Sequence, residues 1–174
     1  VIITRFLNGE IYIYEPIKTV HKDQILKNSK IPADINHEIF IQAKENAKLI
    51  AMKLDYIGTM CVEYFIDFND NLLVNEVAPR VHNSGHLTIN AFNISQFENH
   101  IRAVAGLPLG DPKPRGFSAM INLIGSMPDA IKVLKIPGAH LHDYGKEPRA
   151  GRKLGHLTIR ADSLEELNLT LLEN

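Results

Sequence analysis

Two strand-like segments joined by a three-residue turn constrain this chain more than any other feature of its sequence. Residues 60–68 and 72–78 are rich in β-branched and aromatic side chains, and Asn69-Asp70-Asn71 between them is typical of a turn. The midpoint between Glu63 and Glu76 lies inside that turn, between Asn69 and Asp70. On antiparallel strands they would therefore lie directly opposite each other, with Cβ atoms roughly 4.5–5.5 Å apart.

Two carboxylates at this separation repel each other unless they share a proton or a cation bridges them. The repulsion increases where the local dielectric constant is low, and the neighbouring side chains are apolar: Val62, Phe65, Val74 and Val77. Mg²⁺ prefers one or two carboxylates together with phosphate oxygens. The pair therefore predicts a Mg²⁺ site that receives a nucleoside triphosphate, with Asn75 supplying a further carbonyl oxygen. The alternative is an ordinary hairpin with two solvated acids, because a register shift of one residue moves either glutamate to the other face.

A polar loop follows the second strand at once, with the sequence Arg80-Val81-His82-Asn83-Ser84-Gly85-His86. Arg80 can bind a phosphate or carboxylate through two N–H groups. His82 can donate a hydrogen bond or transfer a proton near neutral pH. A zinc pair of His82 and His86 is an alternative for which no third ligand is evident, and a simple polar loop before a helix is another.

A second basic segment occupies residues 146–153. Four of its eight residues are cations, Lys146, Arg149, Arg152 and Lys153, and it also contains Pro148 and Gly151. Such a turn can hold a phosphate, although basic turns on solvated surfaces are common. The sequence contains neither the dinucleotide-binding nor the P-loop glycine motif. His140, His142 and His156 are interpreted as strand residues with satisfied partners rather than as ligands.

The remaining elements follow from periodicity and turn signals. Asn8-Gly9 predicts a hairpin between residues 1–6 and 10–20. Apolar residues at helical spacing predict a helix over 36–54, and the capping spacing of Ser95 and Glu98 predicts another over 95–105. A boundary is expected at residues 110–114, followed by strands at 118–124, 139–143 and 154–159 and by a capped helix from Ser163 to the last residue, Asn174.

Composition excludes several classes of protein. The 174 residues carry a formal net charge of −1, which argues against a general binder of nucleic acid or membrane surfaces. The single cysteine, Cys61, cannot form an internal disulfide and fits the reducing cytoplasm. No apolar run is long enough to span a membrane. The chain begins with Val1 in a strand-like run, so we expect a fragment of a longer protein.

The motif of residues 75–86 resembles the signature of the N5-carboxyaminoimidazole ribonucleotide synthetase family, ATP-grasp ligases of purine biosynthesis. The likeness continues, in the order of the family, through Ser95-Gln96-Phe97-Glu98, Leu107-Pro108-Leu109-Gly110, Met120-Ile121-Asn122-Leu123-Ile124-Gly125 and Gly151-Arg152-Lys153-Leu154-Gly155-His156. This combination spans nearly the whole chain and is far more specific than any single motif.

The resemblance implies an α+β fold. Residues 1–110 would form the C-terminal part of an ATP-grasp domain, an antiparallel sheet with flanking helices, and residues 111–174 a small, truncated β-rich C-terminal domain. It also implies a reaction in which ATP, bicarbonate and 5-aminoimidazole ribonucleotide give the N5-carboxylated nucleotide, ADP and phosphate, through carboxyphosphate. Alternatives are another ATP-grasp carboxylase or formate-using ligase, which the run of residues 82–86 disfavours, or a non-catalytic nucleotide-binding remnant.

The resemblance also implies roles for particular residues. Metal ligands would be Glu63, Glu76 and Asn75, and ATP would be bound by His21, Asn75 and Glu76. Arg80 and His82 would be catalytic. Bicarbonate and the substrate would be bound by Arg80, His82, Asn83, Ser84, Lys146, Arg149 and Arg152. Gln24 stands where the family usually has a glycine, so the turn near His21 is expected to differ. Because the family's glycine-rich phosphate loop and adenine-binding segment lie upstream of this chain, we expect it to be inactive alone. A homodimer is the expected assembly.

Overall fold

Strands dominate the computed structural model of the protein, which describes residues 1–173. The strands are β1 (Ile2–Arg5), β2 (Ile11–Ile13), β3 (Lys18–Lys22), β4 (Ile25–Ile31), β5 (Gly58–Ile66), β6 (Leu72–Ala78), β7 (Phe117–Ile124), β8 (Ala139–Asp143) and β9 (Lys153–Ala161). The helices are α1 (His37–Lys53), α2 (Thr88–Ala91), α3 (Gln96–Val104), α4 (Ala130–Val133) and α5 (Leu164–Glu173), and a 3₁₀ turn covers Asn83–Leu87. The expected end of the final helix, Asn174, lies outside the described residues.

The first sheet has four antiparallel strands in the order β2-β1-β5-β6. The hairpin predicted from Asn8-Gly9 is confirmed, since β1 pairs with β2 and Gly9 has a φ of 87° in the turn. Helix α1 covers this sheet with small residues, because Ala47 and Ala51 pack against Ile3 in one buried cluster. The predicted helices at 36–54 and 95–105 are also confirmed, and the side chains of Asn36 and Ser95 cap them by accepting backbone N–H bonds.

Glu63 and Glu76 are paired across the β5–β6 hairpin as predicted, but the register next to the turn differs by one residue from the predicted one. Glu63 pairs directly with Glu76, and the register then shifts so that Tyr64 pairs with Val74. Asn75 is therefore the extra residue of a β-bulge, a feature that redirects side chains and is frequent beside active sites. The alternative of a slipped register is thereby excluded.

The second sheet corrects part of the strand assignment. It has five antiparallel strands in the order β3-β4-β7-β9-β8. The single strand expected over residues 10–20 is instead divided into β2 and β3, and Pro16, which has no N–H for a ladder, lies in the break. No strand was predicted at β4, because its consecutive polar residues 27–30 show no alternation.

The second sheet also crosses the boundary expected near residue 110. Strand β4 pairs with β7 through Asn28 and Ile121, so the hydrogen bonds of one sheet join the two halves of the chain. A single buried cluster likewise includes Ile2, Tyr14 and Met120. The α+β fold with antiparallel sheets is confirmed. The division into domains at 1–110 and 111–174 stays a prediction, and the two parts share a core. No helix among residues 1–173 is long and apolar enough to cross a bilayer.

Candidate functional site

A cleft of about 950 Å³ opens where the two sheets approach each other. Strands β3 and β4 contribute one side of it, and β5, β6 and the 3₁₀ turn contribute another. Seven of the residues expected at the site line this cleft: His21, Glu63, Asn75, Glu76, His82, Asn83 and Ser84. The structure therefore brings the hairpin carboxylates and the loop of residues 82–84 together in one concave surface, the usual setting for a small-molecule site.

Glu63 and Glu76 form a cluster with His82. One ligand atom from each residue lies within 4.8 Å of the other two. The Glu63 side chain is 15% exposed and that of Glu76 is 50% exposed, whereas His82 is buried. His86 is not part of this cluster, and no other group of three such ligands occurs among residues 1–173. The zinc pair of His82 and His86 therefore gains no third ligand.

The hydrogen bonds of His82 determine where its proton is. Its Nδ1 accepts the backbone N–H of Ser84 at 3.3 Å and lies 2.9 Å from the Ser84 hydroxyl. Because a backbone N–H can only donate, Nδ1 must be unprotonated. The proton is then on Nε2, which donates to Glu76 Oε1 at 3.2 Å. The ring is neutral, in agreement with burial, which lowers the pKa of His82 against the opposing charges of Glu63 and Glu76.

This tautomer leaves the Glu63 carboxylate without a compensating charge. Its Oε1 is 3.7 Å from the unprotonated nitrogen His82 Nδ1, is fully buried and accepts no hydrogen bond. Its Oε2 accepts only a long bond of 3.4 Å from the Asn75 amide nitrogen. A buried carboxylate oxygen without a donor is costly, and a cation would relieve that cost. The donor set therefore fits a hard divalent cation, with Glu76 and the amide oxygen of Asn75 as further oxygen ligands.

Gln96 holds the backbone of His82 in place. Its side-chain oxygen accepts the His82 N–H at 2.9 Å, and its amide nitrogen donates to the His82 carbonyl at 2.6 Å. The N–H of Gln96 in turn donates to the Thr88 hydroxyl at 2.9 Å. A Cβ atom on Gly85 would lie 2.5 Å from the Gln96 side-chain oxygen, so this close packing requires glycine. The role of Gln96 is not evident from the sequence, because it depends on contacts with His82, 14 positions earlier in the chain.

The predicted cationic residues lie outside the lining of the cleft. Arg80 is exposed, and its guanidinium donates to the carbonyl of Val81 at 3.0 Å. Lys146 and Arg149 are exposed and Arg152 is half-buried. None of these four residues forms an ion pair with another of the side chains that the structure describes, those of residues 1–171.

Lys153 connects the second sheet to the loop. It is one of the four cations of the basic segment but not one of the predicted substrate-binding residues. Its ammonium donates to the side-chain oxygen of Asn83 and lies 3.3 Å from His86 Nδ1. Burial, with a contribution from Lys146, lowers the pKa of Lys153 to about 8.

The strand histidines are predicted to have hydrogen-bond partners. This is confirmed for His142, which bonds to Asn90, but Nε2 of the buried His156 has no partner.

Two sequence models of known domain families match parts of this chain. A sequence model of the ATP-grasp domain matches residues 1–97, more than half of the chain. The chain belongs to the ATP-grasp family. A second model, for the phosphoribosylaminoimidazole carboxylase C-terminal domain, matches residues 118–170. The carboxylate cluster and the 3₁₀ turn lie in the ATP-grasp match, and Lys153 lies in the second.

Named relatives of this ATP-grasp chain are N5-carboxyaminoimidazole ribonucleotide synthases, as the resemblance implied. The protein from Pseudomonas aeruginosa is 42% identical over 169 residues, which cover 97% of this chain and 46% of the relative. The crystal structure of the Thermus thermophilus synthetase matches with a TM-score of 0.94 and 47% identity, covering 98% of this chain and 48% of that one. The Aspergillus clavatus synthase, solved with ADP and 5-aminoimidazole ribonucleotide, matches with a TM-score of 0.91 and 33% identity, covering 99% and 48%. The chain thus spans about half the length of these relatives.

Proposed function

We propose that this chain forms part of an ATP-dependent carbon–nitrogen ligase that carboxylates 5-aminoimidazole ribonucleotide with bicarbonate and releases ADP and phosphate. The observation that carries the proposal is the uncompensated Glu63 carboxylate, which faces Glu76 in a cleft shared with His82. A site of this kind suits a cation that accompanies nucleotide phosphates. The names of the relatives support the choice of substrate over another carboxylase or a formate-using ligase.

Glu63 and Glu76, with the amide oxygen of Asn75, would hold Mg²⁺. When bound, this ion would neutralise the charge that develops on the ATP phosphates during transfer. The remaining groups act through their own positions. His21 lines the same cleft from β3 and would contact the nucleotide. Neutral His82 donates its Nε2 proton to Glu76 and so fixes the direction of that carboxylate.

The reaction would proceed through carboxyphosphate. A bicarbonate oxygen attacks the γ-phosphorus of ATP and ADP leaves; the amine of the ribonucleotide then attacks the carboxyl carbon, and phosphate leaves with the bicarbonate oxygen. Arg80 would stabilise the transferred phosphoryl group, because its guanidinium is tied by a hydrogen bond to the start of the loop. His82, Asn83 and Ser84 would position bicarbonate and the amine.

The basic turn would bind the 5′-phosphate of the ribonucleotide. Lys146, Arg149 and Arg152 lie close together in sequence, and none forms an ion pair with a carboxylate of residues 1–171. Lys146 Nζ lies 5.3 Å above the ring of Tyr144, and Arg152 donates to the Glu147 carbonyl at 3.4 Å. These contacts keep cations in the turn without neutralising them, which suits a phosphate. We further propose that the complete enzyme is a cytoplasmic homodimer and that this chain alone does not turn over ATP.

A chimaera tests the proposal. This chain would replace the matching half of the Thermus thermophilus synthetase, and ADP release would be measured with and without 5-aminoimidazole ribonucleotide and bicarbonate. We expect release that requires both compounds and falls at least a hundredfold in Arg80→Met, which removes the guanidinium but keeps an apolar stem. Release supported by formate in place of bicarbonate would contradict the substrate assignment.

Two further measurements test the carboxyphosphate intermediate and the inactivity of the isolated chain. Bicarbonate labelled with ¹⁸O should deliver one labelled oxygen to the released phosphate if carboxyphosphate forms, and unlabelled phosphate would exclude that intermediate. The purified chain alone should release no ADP in response to substrates. Sustained release from the isolated chain would contradict its proposed inactivity.

A further inference from the structure

A hydrogen-bonded chain of side chains connects the interior of the second sheet to Asn83. The Tyr144 hydroxyl lies 2.7 Å from His156 Nδ1 and 3.0 Å from His86 Nδ1. His86 Nδ1 is also 3.3 Å from the Lys153 ammonium, which donates to Asn83 Oδ1. Of these five residues only Asn83 lines the cleft, so the other four act behind it.

One assignment of donors and acceptors gives every contact of this chain a hydrogen. The Lys153 ammonium is a donor without lone pairs, so His86 Nδ1 must be an unprotonated acceptor. The Tyr144 hydroxyl then donates its single hydrogen to the same nitrogen, whose one lone pair it shares with Lys153 in a three-centre bond. Its oxygen accepts in return from His156, whose proton must therefore be on Nδ1 rather than on Nε2. The unpartnered, buried Nε2 of His156 is consequently a bare lone pair rather than an unsatisfied N–H.

The charge states support this assignment. Burial lowers the pKa of both His86 and His156 to about 3, so both rings are neutral at pH 7. The groups that face Lys153 are the cation Lys146, the neutral imidazoles and the phenol of Tyr144, whose ring lies 5.5 Å from the Lys153 ammonium. Lys153 forms no ion pair with a carboxylate of residues 1–171, the part of the chain whose side chains the structure describes. Its direction is therefore set by neutral acceptors, Asn83 and His86.

The consequence for Asn83 is a fixed amide orientation. Because an ammonium can only donate, the side-chain oxygen of Asn83 must face Lys153. Among residues 1–171 no group bonds to its Nδ2, which is thus the part of the amide left for a ligand. Without Lys153 the two ends of the amide would be interchangeable by rotation, and Asn83 could offer either a donor or an acceptor.

We propose that Lys153 is a positioning residue that fixes the Asn83 amide with its NH₂ group available to the substrate, so that this position recognises a hydrogen-bond acceptor such as a bicarbonate oxygen. The inference rests on the proposed function for the identity of the acceptor. The orientation of the amide itself rests only on the contacts of Lys153, Tyr144 and the two histidines.

The proton assignment is tested by ¹⁵N NMR of the imidazoles in the isolated chain at pH 7. We expect His156 to carry its proton on Nδ1 and His86 on Nε2, and Lys153 to titrate about two pH units below the ordinary lysine value of roughly 10.4. A proton on His86 Nδ1 would overturn the proposal, because that atom could then accept nothing from Lys153.

The positioning role is tested by variants read at the side-chain amide of Asn83. Lys153→Met should shift the Asn83 NH₂ resonances, and Lys153→Arg, which keeps an N–H donor, should restore much of the wild-type shift. Lys146→Met is the matched control: it removes a cation from the same Tyr144 ring but not from Asn83 or His86. Unchanged Asn83 resonances in Lys153→Met, with the fold intact by circular dichroism, would overturn the role of Lys153.

Sodium bicarbonate separates this inference from the proposed function. It should shift the backbone amide resonance of residue 83 and the NH₂ resonances of Asn83 in the wild type, but it should leave the backbone amide resonance of residue 83 unchanged in Asn83→Asp, which still accepts from Lys153 and offers no side-chain N–H. An equal response at this site in Asn83→Asp would overturn the acceptor preference. If the amide responds to Lys153→Met as expected and bicarbonate shifts nothing, the positioning role is supported and the bicarbonate assignment fails.

Discussion

Replacing Glu63 by glutamine should stabilise the metal-free chain while removing its response to Mg²⁺. Glu63 keeps a buried oxygen without a donor and faces the charge of Glu76 across the hairpin. Glutamine has nearly the same shape but no charge, and its NH₂ group can donate to Glu76. A residue retained for structure would show the opposite behaviour, because its replacement would weaken the fold.

The magnitude follows from the separation of the two carboxylates. Their ligand atoms lie within 4.8 Å of each other. At that distance two unit charges repel by about 3.5 kcal/mol at an effective dielectric constant near 20, and by about 0.9 kcal/mol in bulk water. Because the Glu76 side chain is 50% exposed, we expect an intermediate gain of about 1–2 kcal/mol. For a chain of this size that corresponds to an increase in Tm of roughly 2–8 °C.

The assay is thermal unfolding followed by circular dichroism, since the chain has no tryptophan for fluorescence. Wild type, Glu63→Gln and the control Glu45→Gln, which removes an exposed charge on α1, would each be measured with and without MgCl₂. Mg²⁺ at a hundred times its dissociation constant should stabilise wild type and the control by about 2.7 kcal/mol, and Glu63→Gln by far less. A Glu63→Gln protein less stable than wild type without metal would refute the reasoning.

Three further predictions concern stability. Lowering the pH from 7 to 5 should reduce the free energy of unfolding by about 1–2 kcal/mol for each of His86 and His156. Their folded pKa of about 3 lies below the unfolded value near 6.5, so stability is lost as the pH falls below 6.5. Urea unfolding that is independent of pH in this range would contradict this. Gln24→Gly should raise stability by about 1 kcal/mol, since Gln24 has a φ of 61° in the β3–β4 turn, and an unchanged Tm would argue against backbone strain. Gln96→Ala should reduce the free energy of unfolding by about 2–4 kcal/mol, because it leaves the buried N–H and carbonyl of His82 unpaired. A loss below 1 kcal/mol, measured by denaturant unfolding, would show that water replaces the side chain.

The hairpin that carries Glu63 and Glu76 was predictable because its information is local. The midpoint between the two residues lies within the turn, and side-chain alternation then predicts that they face each other. In the structure this pairing is reached through the bulge at Asn75. The bulge was not predictable in this way. Asn75 differs from its neighbours only in polarity, and counting from the turn would pair it with Tyr64, whereas the structure pairs Tyr64 with Val74.

The second sheet and the network behind Asn83 were less accessible, because their contacts join distant residues. The polar residues of β4 form a strand only because β7, about 90 positions later, supplies the strand with which β4 pairs. The Lys153–Asn83 contact spans 70 positions and the Tyr144–His86 contact spans 58. Each histidine considered alone is an ordinary strand or loop residue, and only the fold shows that one tyrosine joins two of them.

The location of the 3₁₀ turn at the junction of the two sheets explains why its residues are so constrained. On one side Ser84 bonds to His82, which bonds to Glu76 on β6 of the first sheet. On the other side Asn83 bonds to Lys153 on β9 of the second sheet. A displacement of either sheet would therefore break a bond to one of two adjacent residues. Because the carboxylate cluster and the Asn83 amide are linked through this short turn, backbone geometry sets their separation. A site that joins a nucleotide phosphate to a second substrate requires preorganisation of this form.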